Sequence, residues 1–205
     1  MLFSDEKVAS YINNHFEAVW ESARPVPLIT MNFGNGKVVN RTMKGNIATY
    51  VCFADGSVLD VLPGIYEAAT FNQCLERLSA LAENLASKAP AERALAVQSY
   101  HRSQANSIPV QEFIQPVIAV IANKLSNQSE GSNRKNLSAW TELYQDTLAN
   151  ETVWRKKAHT ILMDLPPHTP KTINKRIYRE VLHTDLDDPY LGLGPVLFGS
   201  YPFEK

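Results

Sequence analysis

The sequence is short of cysteine. It has two, Cys52 and Cys74, among 205 residues, too few for a disulfide framework in a chain this long. They stand far apart, so the chain contains no Cys-x-x-Cys. It also lacks charge of one sign: 20 Lys and Arg against 21 Asp and Glu leave a formal net charge of −1. Residues 1–90 hold 7 basic and 9 acidic side chains and residues 91–205 hold 13 and 12, so neither part is polarised. That balance gives no pull toward nucleic acid or an acidic membrane surface. No apolar run reaches the length of a membrane span. The opening Phe3, Ser4, Asp5, Glu6 and Lys7 is polar and acidic, unlike a signal peptide. The default expectation is a cytoplasmic protein with no nucleic-acid and no membrane partner. Catalytic signatures are missing too. There is no Gly-x-Ser-x-Gly, and Gly34, Asn35, Gly36 and Lys37 make too short a loop for phosphate and lack a following Ser or Thr.

What is present is ordinary globular material, 44% hydrophobic and 20% charged, enough to bury a sizeable core. The most patterned stretch runs from Gly45 to Leu78. Ile47 to Phe53 is rich in β-branched and aromatic residues, as in a strand buried on both faces. Asp55 and Gly56 form a hairpin signal, because the turn needs positive φ. Val58, Leu59, Val61 and Leu62 make a second strand, ended by Pro63 and Gly64. Phe71, Cys74, Leu75, Leu78, Leu81, Ala82 and Leu85 then recur at helical spacing, predicting a helix over 66–86. Upstream, Ser4 is a candidate N-cap for a helix over 4–20, with Val8, Tyr11, Ile12, His15, Phe16, Val19 and Trp20 on one face. Arg24 to Pro27 breaks it, Leu28 to Phe33 reads as a strand, and Val38 and Val39 begin another short one.

This order resembles the C-terminal half of a thioredoxin-like domain. Gly45, Thr49, Tyr50, Asp55, Gly56 and Gly64 stand where that family places its strand opening, hairpin and glycine break. Phe3 to Val8, His15, Phe16, Val19 and Trp20 resemble the helix after its active site. The resemblance covers about residues 1–88 and implies an α/β fold: a truncated thioredoxin-like sheet of Leu28–Phe33, Ile47–Phe53 and Val58–Leu62, with the helices at 4–20 and 66–86 packed on it. Redox members of the family carry Cys-x-x-Cys at the start of the first of those helices, where this chain begins at Met1. Their cis-proline would fall near Ala48, and no proline stands there.

Ala89 and Pro90 mark a candidate boundary between a thioredoxin-like domain, 1–88, and a helical region, 89–205. The second part is expected to be all-helical. Its helices are placed at Glu92 to Arg102, at Val110 to Leu125, from Ser138 as N-cap through Leu162, and from Thr169 and Pro170 to about Leu182. Residues 127–136 read as an exposed loop, and Asp188 to Lys205 as irregular chain. The stripe of Val110 to Leu125 is expected to cover the exposed sheet. Homodimerisation through the sheet edge is the alternative.

Candidate chemistry is sparse. Cys52 lies mid-strand and Cys74 on an apolar helix face, and both are expected to be buried, reduced core residues. The histidines are His15, His101, His159, His168 and His183, none at the i, i+4 spacing of paired metal ligands. His183, Asp185 and Asp187, with Asp188, form the one cluster with metal-type donors; its other reading is a polar turn. Lys171, Lys175, Arg176 and Arg179 read as a solvated helix face. No catalytic residue and no cofactor is expected. The function expected is a non-catalytic binding or scaffold module with a protein partner. The alternative is a thiol–disulfide oxidoreductase whose motif lies upstream of Met1.

Overall fold

The computed structural model of the protein describes residues 2–42, 46–107, 134–164 and 167–195, with side chains omitted at 41 and 134–140. Helix α1 spans Glu6–His15. Its cap is Asp5, whose carboxylate accepts from the N–H groups of Lys7 and Val8 at 3.1 and 3.2 Å; Ser4 instead closes a 3-10 turn, Leu2–Ser4. The helix stops five residues short of the predicted end. Phe16 turns to extended backbone and packs at the margin of the core beside Tyr11. Val19 and Trp20 are left 89% and 87% exposed.

Strands β1 (Leu28–Asn32) and β2 (Val38–Thr42) form one antiparallel hairpin; β3 (Ala48–Cys52) and β4 (Val58–Pro63) form another. The antiparallel pairing across Asp55 and Gly56 is as expected, with Gly56 at φ +79°. The single sheet is not: β1–β2 and β3–β4 are separate two-stranded sheets. Sequence-adjacent strands close a short loop at small entropic cost, so β1 pairs with β2 through the turn at 34–36. Pairing of β1 with β3 would have to compete with helices for the β3–β4 hairpin. The strand order therefore lends the thioredoxin-like resemblance no support.

Helix α2 spans Ala68–Ala86, capped by Glu67, whose carboxylate accepts from Thr70 N at 2.9 Å. Helix α3 spans Pro90–Asn106 with Pro90 in its first turn. Helix α4, Arg134–Ala149, continues through a π-helical turn, Asn150–Trp154, into α5, Arg155–Leu162. Residues 134–136, expected in a loop, are helical, and Ser138 is inside the helix rather than capping it. Helix α6, Pro170–Arg176, runs into a second π turn, Ile177–Val181. Among the described residues beyond 89 there are helices and no strand, as expected. The predicted helix at Val110 to Leu125 lies outside the described residues.

All six residues of β4 are buried, because the strand sits between two apolar clusters. Leu59 and Leu62 join Val8, Val51, Phe71, Leu75 and Leu78 in the first, under α1 and α2. Val58 and Val61 join Ala158, Ile161, Leu162, Ile173, Ile177 and Val181 in the second, under α5 and α6. The face left open in the sequence reading is thus covered by α5 and α6. The hairpin register slips between Val51 and Cys52: Val51 pairs with Asp60 and Cys52 with Val58, so Leu59 is a bulge. A bulge re-aims the side chains beside it. The side chain beside this one is Asp60.

Candidate metal centre

Asp60 is a carboxylate in the middle of an apolar, fully buried strand, and is itself 0% exposed. A bare charge there would cost several kcal/mol, and the surroundings answer it. Arg155, the first residue of α5, donates from Nη2 to Asp60 Oδ2 at 2.7 Å. Tyr100 on α3 donates its hydroxyl to the same oxygen at 2.8 Å. The N–H of Val61 donates to Oδ1 at 2.7 Å. Burial alone would raise the Asp60 carboxyl, but Arg155 and then the two nearby imidazoles hold it well below the usual carboxylate range.

Arg155 is shared. Its Nη1 meets Glu151 Oε2 at 3.0 Å and Oε1 at 3.3 Å. Glu151 belongs to the π turn, which widens the helix immediately before Arg155; such turns are frequent at functional sites. Burial opposes the guanidinium's charge, yet Asp60 and Glu151 together keep Arg155 protonated.

Two histidines complete the cluster. His101 on α3 and His159 on α5 are both buried. Their Nδ1 atoms face each other at 2.9 Å, and His159 Nδ1 lies 3.6 Å from Asp60 Oδ1. Desolvation lowers both imidazoles, His159 to about 4, against the pull of Asp60. They are therefore neutral at pH 7. His101 Nε2 has no hydrogen-bond partner at bonding geometry.

Asp60, His101 and His159 each offer one ligand atom, all within 4.8 Å of one another. Ligand atoms about 2.1 Å from a tetrahedral ion lie about 3.4 Å apart. His159 Nδ1 and Asp60 Oδ1, at 3.6 Å, lie close to that spacing, and the two imidazole nitrogens, at 2.9 Å, are about half an ångström nearer. Two imidazoles and a carboxylate suit zinc, iron, manganese and other first-row ions, whereas magnesium and calcium prefer oxygen alone.

The residues singled out in the sequence lie elsewhere. Asp187 Oδ1 accepts from Lys175 Nζ at 2.6 Å, and Asp185 Oδ1 accepts from the N–H of Asp187 at 3.0 Å. Asp188 accepts from the N–H groups of Tyr190 and Gly192 at 2.8 and 3.0 Å. These carboxylates serve the turn after α6. Among the described residues, the group whose ligand atoms converge is Asp60, His101 and His159, without His183, Asp185 or Asp187. Cys52 and Cys74 are both free, Cys74 buried and Cys52 half-buried. Cys74 Sγ lies 3.8 Å from Glu151 Oε1 and 3.7 Å from Arg155 Nη1; burial and then Glu151 push its thiol up to about 12. In the basic helix, Arg176 pairs with Asp164 and Glu180 at 2.9 and 3.1 Å, in keeping with a solvated face.

Sequence spacing did not point to this centre, because its residues come from one strand and two helices far apart in the chain. One signal was available: a lone Asp in an otherwise unbroken apolar strand. Compared with family models, with curated proteins and with solved structures, the chain matches none of them.

Proposed function

We propose that the protein is a metal-binding module that holds one divalent first-row transition ion between His101 Nδ1, His159 Nδ1 and Asp60 Oδ1. The observation that carries the reading is the face-to-face approach of two buried imidazoles beside a buried carboxylate, at spacings that fit an ion. Arg155 and Tyr100 bind Asp60 through Oδ2, and they would orient the ligand from behind in the manner of outer-shell partners. Three protein ligands leave a fourth position, for water. The reading gives the protein an ion as its ligand, in place of the protein partner expected from the sequence. Thiol–disulfide exchange gains no support: it needs a thiolate and a second thiol to resolve the intermediate, and Cys74 is held protonated.

Equilibrium dialysis against zinc, followed by elemental analysis, tests this. One zinc per chain is expected, falling below a tenth in His101→Ala and His159→Ala. Cobalt substitution should give the visible bands of a low-coordinate nitrogen and oxygen site. Wild-type protein that takes up no zinc, or folded variants that retain it, would refute the proposal.

A further inference from the structure

The three ligands come from three elements, and one of these is poorly held by anything else. Helix α5 buries Ala158, Ile161 and Leu162 against Val58, Val61, Ile173, Ile177 and Val181. Strand β4 is buried along its whole length. Helix α3 is different. Its buried residues are Val97, His101 and Ala105, a stripe at four-residue intervals with an imidazole in the middle. Leu95 points to solvent, 66% exposed. Val97 belongs to the first cluster, and Ala96 and Tyr100 edge it.

What fastens α3 to the rest is polar. Gln98 Nε2 donates to the carbonyl of Met163 at 3.1 Å. Tyr100 donates to Asp60, and His101 meets His159. At its first turns Arg93 lies over the Phe53 ring and pairs with Asp55. Apart from Val97 and the Gln98 contact, the interior of α3 thus docks on α5 and β4 through the atoms that would ligate the ion or orient its ligands. Its apolar anchoring is small, two buried side chains, Val97 and Ala105, with Ala96 and Tyr100 partly buried. Helix–coil balance in a segment of this length is marginal by itself.

Building on the metal-binding reading, we infer that the ion is the clasp of α3: occupancy of the centre decides whether this helix stays docked on α5 and β4, while α1, α2 and α5 are folded with or without it. The ion binds only when His101 is in place beside His159 and Asp60. Binding therefore draws the local opening of α3 toward the closed form by mass action. The helix carries the ligand whose departure opens least of the apolar clusters: Val97, with Ala96 and Tyr100 at the edge of the first. The partner is a divalent ion of the zinc type, and its availability controls the α3 surface.

Hydrogen exchange read by mass spectrometry on the full-length protein tests this directly. Metal-free protein is compared with protein at free zinc one hundred times the dissociation constant. If only the closed form binds zinc, opening falls about 100-fold. Amides of residues 95–104 should then exchange about 100-fold more slowly, while those of α1, α2 and α5 change less than two-fold. His101→Ala should abolish the zinc effect on α3, and His101→Cys, which restores a ligand, should recover part of it. One equivalent of zinc bound with no change in α3 would overturn the inference and leave the metal-binding reading intact. Equal protection of α1 and α2 would overturn it too, since the ion would then be stabilising the whole fold. Failure to bind zinc at all would remove both.

Discussion

Arg155→Met is the sharpest probe of the buried cluster. Methionine keeps much of the unbranched side-chain volume and removes the charge. The Arg155 side chain is only 11% exposed, and its guanidinium bridges Asp60 at 2.7 Å and Glu151 at 3.0 Å. Its loss leaves two buried carboxylates, 0% and 3% exposed, without the cation they share. Breaking a buried pair by removing one partner costs about 3–5 kcal/mol, mostly from the charge left behind. That range is the expected loss, measured by urea denaturation of metal-free protein at pH 7 with circular dichroism. Asp60→Asn in the Arg155→Met background should be cheaper than in the wild type, with a coupling of about 1–3 kcal/mol, because it removes one of the stranded charges. Acid should also narrow the gap between Arg155→Met and the wild type. In the wild type, burial would raise Asp60 but Arg155 holds it low. Without Arg155 the carboxyl rises above its unfolded value, so the folded variant takes up a proton at a higher pH than the unfolded chain and its relative stability recovers as the pH falls. A loss under about 1 kcal/mol, or strict additivity of the two changes, would show that Arg155 is not the counter-charge of this cluster.

Thiol labelling checks the state of Cys74. A thiol pushed up to about 12 is about one part in 10,000 thiolate at pH 8, against about a quarter for an ordinary cysteine. Iodoacetamide should modify native Cys74 about a thousand-fold more slowly than the urea-unfolded chain, and rapid native labelling would contradict its placement. Gly64 stands at φ +84°, and a Cβ there would meet Asn150 Oδ1 at 2.7 Å, where the Asn150 amide donates to the carbonyl of Ile65. Gly64→Ala should lose about 2–4 kcal/mol from backbone strain and the displaced amide, and a loss below about 1 kcal/mol in thermal or urea unfolding would refute that contact.

The sequence by itself determined the local elements whose signals are short-range. The Asp55 and Gly56 turn requires positive φ, and it joined β3 to β4. The apolar period from Phe71 to Leu85 defined α2, and Thr169 with Pro170 opened α6, where Thr169 N–H donates to Thr172 Oγ1 at 3.0 Å. Where periodicity had no partner to pack on, it misled: the stripe continued to Trp20, but the helix ended at His15 because Phe16 found the core and Trp20 did not. Strand partnership was not legible either, since apolar strands read alike whether or not they share a sheet. The candidate centre depended on tertiary structure most of all. His101 and His159 are 58 residues apart in sequence and carry no local motif. They meet because α3 and α5 pack together over the bulge that aims Asp60 inward. The sequence held only the hint of an acid inside a buried strand. Its meaning came from Arg155, Tyr100 and the two imidazoles, which the folded chain alone brings within reach, because a charge with no access to water must find its partners in three dimensions.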